Sequence, residues 1–212
     1  EITKGIDGLP QRWETIVISS VKNPDNQDLI GLSIKEIANL RNLDESETIL
    51  QLTEEDQAVV SVIYHNREEG DIRCFMDHRL AMFGSDGNAV STEGFYSNGK
   101  PHPRFYGTFP RILGRYIREK RSKLSLEEAI YKMTGFPAWR LNLKQRGIIK
   151  ENYNADITIF NPKTIIDKAT FENPHQYAKG IEFVIVNGEV VIDDGIHKKI
   201  TPGKVLRRGS KV

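Results

Sequence analysis

The chain has 212 residues, of which 38% are hydrophobic, and its 30 basic and 29 acidic side chains leave a formal net charge of +1. A chain of this length can bury a substantial core in one domain or slightly more. The balanced charge is not that of a broad nucleic-acid binder, and no apolar run reaches the roughly 20 residues that span a bilayer. We therefore expect neither nucleic acid nor a membrane among its partners.

The chain contains one cysteine, Cys74, which excludes an internal disulfide and a cysteine-based zinc site. A reducing, cytoplasmic setting is the expectation that follows, and Cys74 is interpreted as a small buried apolar residue. The sequence starts at Glu1 without an initiator methionine. The lack of a signal peptide therefore carries little weight, and we expect the natural N-terminus to lie upstream.

The first part of the chain predicts strands that alternate with short helices. The predicted elements are a strand over 14–20, helices over 33–42 and about 44–52, a strand over 58–64 and a short helix over 68–78. Ser33 and Glu36 have the spacing of a capping box, which marks the start of the first helix. These alternating elements indicate an α/β protein.

The stretch LAMFGSDG, residues 80–87, is the first to suggest chemistry. LAMF is too short for its period to separate helix from strand, but the glycines after it favour a buried strand. Functional groups collect at strand ends in such folds, and Gly84 and Gly87 would let the backbone turn sharply and approach a ligand. Asp86 is thus a candidate for metal binding or proton transfer, with an ordinary turn as the alternative.

A long polar loop, 84–107, separates this stretch from the second part of the chain. The elements predicted there are an amphipathic helix over 108–121, a helix opened by the capping box Ser125–Glu128, a helical turn in FPAWRLNL, a strand over 155–160 and a hairpin around Asn187-Gly188. Strands alternate with helices up to about 146, and a β-rich region follows. The basic tail KVLRRGSKV is interpreted as a solvated terminus.

The loop contains His102-Pro103-Arg104. The Arg104 guanidinium is suited to bidentate binding of a carboxylate, and the alternative is a solvated loop arginine. The other histidines are interpreted as structural or without a catalytic role: His65, His78, His175 and His197.

Five segments occur in a distinctive order: MFGSDG, HPRFYGTFPRILGRYIRE, LSLEEAIYKMTGFPAWRLNL, RGIIKENYNADITIFNP and VNGEVV. Together they resemble the C-terminal part of the N-acyl-D-amino-acid deacylases, or D-aminoacylases, of the amidohydrolase superfamily. The resemblance extends over nearly the whole chain. Its most specific part is the pairing of GSDG with HPRFYGTFPR.

The resemblance implies an α/β fold that combines part of a metal-dependent (β/α)₈ TIM barrel with a small β-sandwich. Residues 1–146 would form the C-terminal part of the barrel, with 22–75 as an insertion after strand 7, and residues 147–212 would form the sandwich. The implied reaction is hydrolysis of an N-acyl-D-amino acid to a carboxylate and a D-amino acid.

The resemblance also implies roles for particular residues. The strand-8 aspartate of the family falls on Asp86, as catalytic residue and metal ligand, while Arg104 and Gly87 fall on the substrate side. A zinc-bound water has a pKa near 7, and a carboxylate beside it can take its proton and pass it to the departing amine. The other metal ligands of the family lie upstream of this chain. We therefore expect Zn²⁺ in a longer parent enzyme, a partnering N-terminal barrel half, and an isolated chain without activity.

Two alternatives stay open. The parent could be a related amidohydrolase of the dihydropyrimidinase or dihydroorotase kind, which acts on a cyclic amide. The chain could also be a non-catalytic interface or binding module, for which the absent metal ligands would need no further explanation. Oligomer formation is compatible with all three.

Overall fold

The computed structural model describes residues 12–207. The helices are α1 (Ile34–Arg41), α2 (Glu45–Glu55), α3 (Glu69–Asp77), α4 (Arg104–Arg111), α5 (Leu126–Met133) and α6 (Gly135–Arg140), and α4 continues as a π-helix over Ile112–Arg118. The strands are β1 (Ile16–Ser20), β2 (Ser61–Tyr64), β3 (Ile157–Phe160), β4 (Ile181–Val186), β5 (Glu189–Asp193) and β6 (Ile196–His197). The last residues of the predicted basic tail, 208–212, lie outside the described part.

Both predicted capping boxes are confirmed. The Ser33 hydroxyl accepts a hydrogen bond from the Glu36 N–H, and the Glu36 carboxylate accepts one from the Ser33 N–H at 2.7 Å. Ser125 and Glu128 make the same reciprocal pair at the start of α5. Each box satisfies backbone donors that the first helical turn leaves unpaired, so these two helices begin where the local sequence places them.

The described chain divides into two units. The first consists of the chain up to Arg67 together with Gly87–Phe105 and Ala169–Gln176. In it β1 pairs with β2 in antiparallel orientation. The core of this unit is formed by the buried side chains Ile18, Leu29, Ile34, Ile37 and Leu52.

In the same unit, a buried carboxylate, that of Asp56, accepts hydrogen bonds from the turn after β1. Asp56 is only 1% exposed and accepts hydrogen bonds from the backbone N–H groups of Lys22 and Asn23, both at 2.7 Å, and from the Asn26 side-chain amide at 2.6 Å. Burial alone raises the pKa of Asp56, but these hydrogen bonds outweigh it and lower the pKa below its ordinary value. The charged carboxylate therefore stabilises the folded unit.

Replacing Asp56 by alanine is expected to lower the free energy of unfolding by about 3 kcal/mol at neutral pH, because the buried donors lose their acceptor. Since the pKa is lower in the folded chain, the stabilisation is present above about pH 4 and is lost as the pH falls through the folded pKa. Urea unfolding at pH 7 and pH 3 measures both effects. Asp28→Ala, an exposed aspartate nearby, is the control, and equal losses in the two variants would contradict the prediction.

The second unit consists of Glu68–Asp86, Tyr106–Lys168 and the chain from Tyr177 onward. Its buried side chains form two clusters, one of Met76, Ile112 and Tyr116 and one of Leu113, Ala129 and Ile165. These clusters confirm the predicted apolar face of the segment 108–121. Gly114 is required there, because a Cβ at this position would lie 2.6 Å from the carbonyl oxygen of Ile165.

The second unit also contains a four-stranded antiparallel sheet in the order β3-β4-β5-β6. The predicted hairpin is confirmed: Asn187 and Gly188 join β4 to β5 with φ of 49° and 86°, as a type I′ turn requires. Arg146 is buried and donates to Asp156 and to the Asn187 side chain. Asp156 in turn accepts the Asn187 N–H at 2.8 Å, so the turn is held by side chains as well as by its own conformation.

Two expectations about secondary structure and burial were wrong. LAMF is not a strand: residues 81–90 have no regular secondary structure, and no strand within 12–207 pairs with them. A strand needs a neighbour to pair its backbone groups, and the Phe83 N–H donates instead to the Lys132 carbonyl at 3.1 Å. Cys74 is exposed on α3 rather than buried. The domain boundaries at 146/147 and the insertion over 22–75 stay predictions.

Candidate active site

Asp86 adopts a left-handed backbone conformation, with φ of 50°, and its side chain is exposed within the described chain. Aspartate and asparagine tolerate this conformation better than most residues. Neither Gly84 nor Gly87 is among the residues with positive φ. The sharp turn that the sequence analysis ascribed to the glycines is therefore made by the aspartate itself.

Gly87 serves a different purpose, which is close packing. A Cβ at this position would lie 2.9 Å from the Phe105 Cα and 3.1 Å from the Arg104 carbonyl oxygen. A Cβ atom within 3.0 Å of a backbone atom cannot be accommodated unless the backbone moves. Gly87, the residue after Asp86, is thus packed directly against the backbone that begins α4, which includes Arg104 of the HPR motif.

Arg104 is the first residue of α4 and is half-buried. Its backbone N–H donates to the His102 Nδ1 at 3.0 Å, and the Phe105 N–H donates to the His102 carbonyl at 3.1 Å. No role for His102 was predicted from the sequence, because histidine is not among the residue types that commonly cap a helix.

The loop before the HPR motif is fastened to β1. The Lys100 N–H donates to the Ser19 carbonyl at 2.7 Å, and the Ser19 hydroxyl donates to the Lys100 carbonyl at 2.9 Å. The His175 Nε2 lies 2.9 Å from the Gly99 carbonyl, to which it donates. These bonds attach the long polar loop to the strand of the first unit, so the loop that leads to Arg104 is held at several points.

In the second unit, a buried lysine fastens the segment that leads to Asp86. Lys132 is 6% exposed, and its Nζ donates to the carbonyls of Met76 at 3.0 Å and His78 at 2.5 Å. These carbonyls lie at the C-terminal end of α3, where helical carbonyls lack partners and favour a positive charge. Together with the bond from Phe83 to the Lys132 carbonyl, they tie residues 76–83 to α5.

The described residues do not form a metal site by themselves. Among residues 12–207 there is no group of three His, Cys, Asp or Glu side chains that could hold a metal ion. A catalytic zinc takes about three protein ligands, and Asp86 would supply one. In the same part of the chain no helix is both long and apolar enough to cross a membrane.

Comparison with known proteins gives consistent results. Residues 82–192 match the model of the amidohydrolase family, a range that contains Asp86, Gly87 and Arg104. The chain is 37% identical over 175 residues to an N-acyl-D-aspartate deacylase from Alcaligenes xylosoxydans xylosoxydans, which covers 80% of this chain and 34% of that protein. It is 35% identical over 181 residues to a D-aminoacylase of the same organism, with coverages of 85% and 35%.

A solved structure extends the similarity to three dimensions. The N-acyl-D-glutamate deacylase from Bordetella bronchiseptica, complexed with zinc and a phosphonate that mimics the tetrahedral intermediate, superposes with a TM-score of 0.77 at 32% identity. The match covers 92% of this chain and 38% of that protein. The chain therefore spans about a third of the length of the relatives it matches.

Proposed function

From the finding that this chain belongs to the amidohydrolase family, in its N-acyl-D-amino-acid deacylase branch, we propose that it is part of an enzyme that hydrolyses N-acyl-D-amino acids. The products are a carboxylate and a free D-amino acid. The chain would form the C-terminal part of a TIM-barrel-type fold together with most of a small β-sandwich. The single cysteine supports a cytoplasmic location.

The observation that carries the proposal is the contact of Gly87 with the backbone of Arg104 and Phe105. It joins the residue after the candidate proton-transfer group to the residue that presents the candidate carboxylate-binding group. An N-acyl-D-amino acid has a scissile amide next to an α-carboxylate. A hydrolase for this substrate needs a general base at the amide and a cation at the carboxylate, and Asp86 and Arg104 are the candidates that this chain offers for these two roles.

In the proposed mechanism Asp86 accepts a proton from the water that attacks the amide carbon and then delivers it to the departing amine. The delivery matters because an amine leaves poorly as an anion. Arg104 binds the α-carboxylate through its planar guanidinium, which orients the amide for attack. Gly87 would lie on the substrate side, where the missing side chain allows its close contact with the backbone of Arg104 and Phe105.

Zinc supplies an activated water to such hydrolases when it is bound. The described residues of this chain do not fit a complete zinc site, so we assign the metal to the longer enzyme. Its remaining ligands would come from polypeptide outside this chain, and Asp86 would be at most one of them.

The test is a substrate panel on two proteins, the longer polypeptide that contains this chain and the 212-residue chain alone, each supplied with Zn²⁺. We expect the longer protein to release D-amino acids from N-acyl-D-amino acids but not from the L-enantiomers, and the chain alone to release none. Amino acid release is measured by chromatography.

Other outcomes separate the alternatives. Hydrolysis of dihydrouracil or dihydroorotate in place of the acyl amino acids would favour a cyclic-amide hydrolase. A longer protein with no hydrolase activity at all would favour a non-catalytic module. Turnover by the 212-residue chain alone would contradict the proposal that the site is completed by other polypeptide.

A further inference from the structure

The start of α4 is organised around one histidine. The His102 Nδ1 accepts the Arg104 N–H at 3.0 Å, and the His102 carbonyl accepts the Phe105 N–H at 3.1 Å. Both bonds satisfy donors of the first helical turn, which have no partner within the helix. An Nδ1 that accepts carries no proton, so this bond selects the tautomer with hydrogen on Nε2.

The imidazole ring is itself held in place. Its edge packs on Phe171, with ring centroids 5.0 Å apart and planes at 82°, and His65 packs on the same phenylalanine at 4.6 Å and 64°. Edge-to-face contacts of this kind fix ring orientation. Pro103 adds rigidity between the ring and Arg104, because its φ is locked and it restricts the residue before it.

We propose that His102 is a positioning residue for Arg104: its ring Nδ1 fixes the backbone from which the guanidinium extends toward the substrate carboxylate. This inference deepens the proposed function and rests on it. The Arg104 side chain has several rotatable bonds and loses conformational freedom when it binds a substrate. A fixed backbone at Arg104 reduces this entropic cost, because fewer orientations of the side chain are available before binding. The same backbone is pressed against Gly87, so a shift at His102 would also disturb the residue after Asp86.

Two substitutions at His102 can test whether the ring Nδ1 is the acceptor that matters. Asparagine and glutamine each offer an acceptor oxygen, but at different distances from the backbone. The asparagine Oδ1 is bonded to Cγ, as is the histidine Nδ1, whereas the glutamine Oε1 lies one bond further out. Both variants lose the ring contact with Phe171 equally. A difference between His102→Asn and His102→Gln therefore reports on the hydrogen bond to the Arg104 N–H and not on the lost ring contact.

The chain offers a matched control. The His197 Nδ1 accepts the Lys199 N–H at 3.0 Å, the same local bond, on the exposed strand β6. His197→Ala removes that bond at a residue that is not part of the HPR motif. Arg104→Lys gives the change in KM that is expected when the guanidinium itself is lost, because lysine keeps the charge but cannot form the bidentate fork.

The first measurement uses the 212-residue chain and is independent of catalysis. Amide hydrogen exchange followed by NMR should be about tenfold faster at Arg104 in His102→Ala and His102→Gln, and near the original rate in His102→Asn. His197→Ala should change exchange at Lys199 alone. Equal exchange rates of the Arg104 amide in the asparagine and glutamine variants would overturn the positioning role, independently of any result on catalysis.

The second measurement uses the longer enzyme. His102→Ala and His102→Gln should raise KM for the N-acyl-D-amino acid about fivefold with little change in kcat, His102→Asn should restore KM, and Arg104→Lys should raise KM as well. An unchanged KM in Arg104→Lys would show that Arg104 does not bind the substrate, and the proposed function would fail on that point. The exchange rates would still decide, independently, whether His102 Nδ1 accepts the Arg104 N–H. A KM raised equally by asparagine and glutamine would overturn the inference.

Discussion

Replacing Asp86 by asparagine is expected to lower kcat of the longer enzyme about 100-fold or more, with KM little changed. The amide cannot accept a proton from the attacking water or return one to the amine. Asparagine is the appropriate replacement because it tolerates the left-handed backbone of this residue, with φ of 50°. Steady-state kinetics on an N-acyl-D-amino acid gives the result, and circular dichroism confirms that the fold is kept.

Asp194→Asn is the matched control for this prediction. Asp194 is also exposed and also left-handed, with φ of 49°, but it lies in the turn between β5 and β6. The same substitution on the same backbone should leave kcat unaltered there. If Asp86→Asn is as active as the control, Asp86 has no part in proton transfer, and the proposed mechanism fails at its central step.

Replacing Gly87 by alanine is expected to have the second large effect. The added Cβ would lie 2.9 Å from the Phe105 Cα and 3.1 Å from the Arg104 carbonyl oxygen, and backbone atoms cannot turn aside as a flexible side chain can. The start of α4 or the turn at Asp86 must move. Overpacking of this kind costs about 1–3 kcal/mol, which urea unfolding of the 212-residue chain measures. In the longer enzyme we expect KM to rise and kcat to fall together.

Gly84→Ala is the control that isolates the steric cause. Gly84 also flanks Ser85-Asp86, also lies outside the left-handed residues, and has no atom within 4 Å of the position that a Cβ would take. Alanine there should be neutral or stabilising by about 0.5 kcal/mol, since it restricts the unfolded chain. Equal losses of stability in the two variants would show that the Gly87 contact does not exist in solution.

The elements that could be predicted are those stabilised by neighbours in the chain. The capping boxes at Ser33 and Ser125 and the Asn187-Gly188 turn are examples, because donor and acceptor lie within a few residues of each other. The apolar face of 108–121 was also predictable, since the period of a helix determines which side chains share a face.

The family could be identified from motif order alone, and with it Asp86, Arg104 and Gly87 as candidates. Their roles stay predictions. The buried acceptor Asp56 and the lysine that fastens α3, Lys132, could not have been identified in the same way. Each binds groups more than thirty residues away in the chain, and nothing in a local pattern indicates such a partner.

By itself, the sequence determined where helices cap, where the hairpin turns and which family's motifs are present, because those features depend on short-range chemistry. Only the tertiary structure decided that LAMF is not a strand, that Asp86 and not its glycines makes the left-handed turn, and that Gly87 must be small. The physical reason is the same in each case. Strand pairing, backbone conformation at a turn and close packing depend on which distant atoms come within contact distance, and that is settled only when the chain has folded.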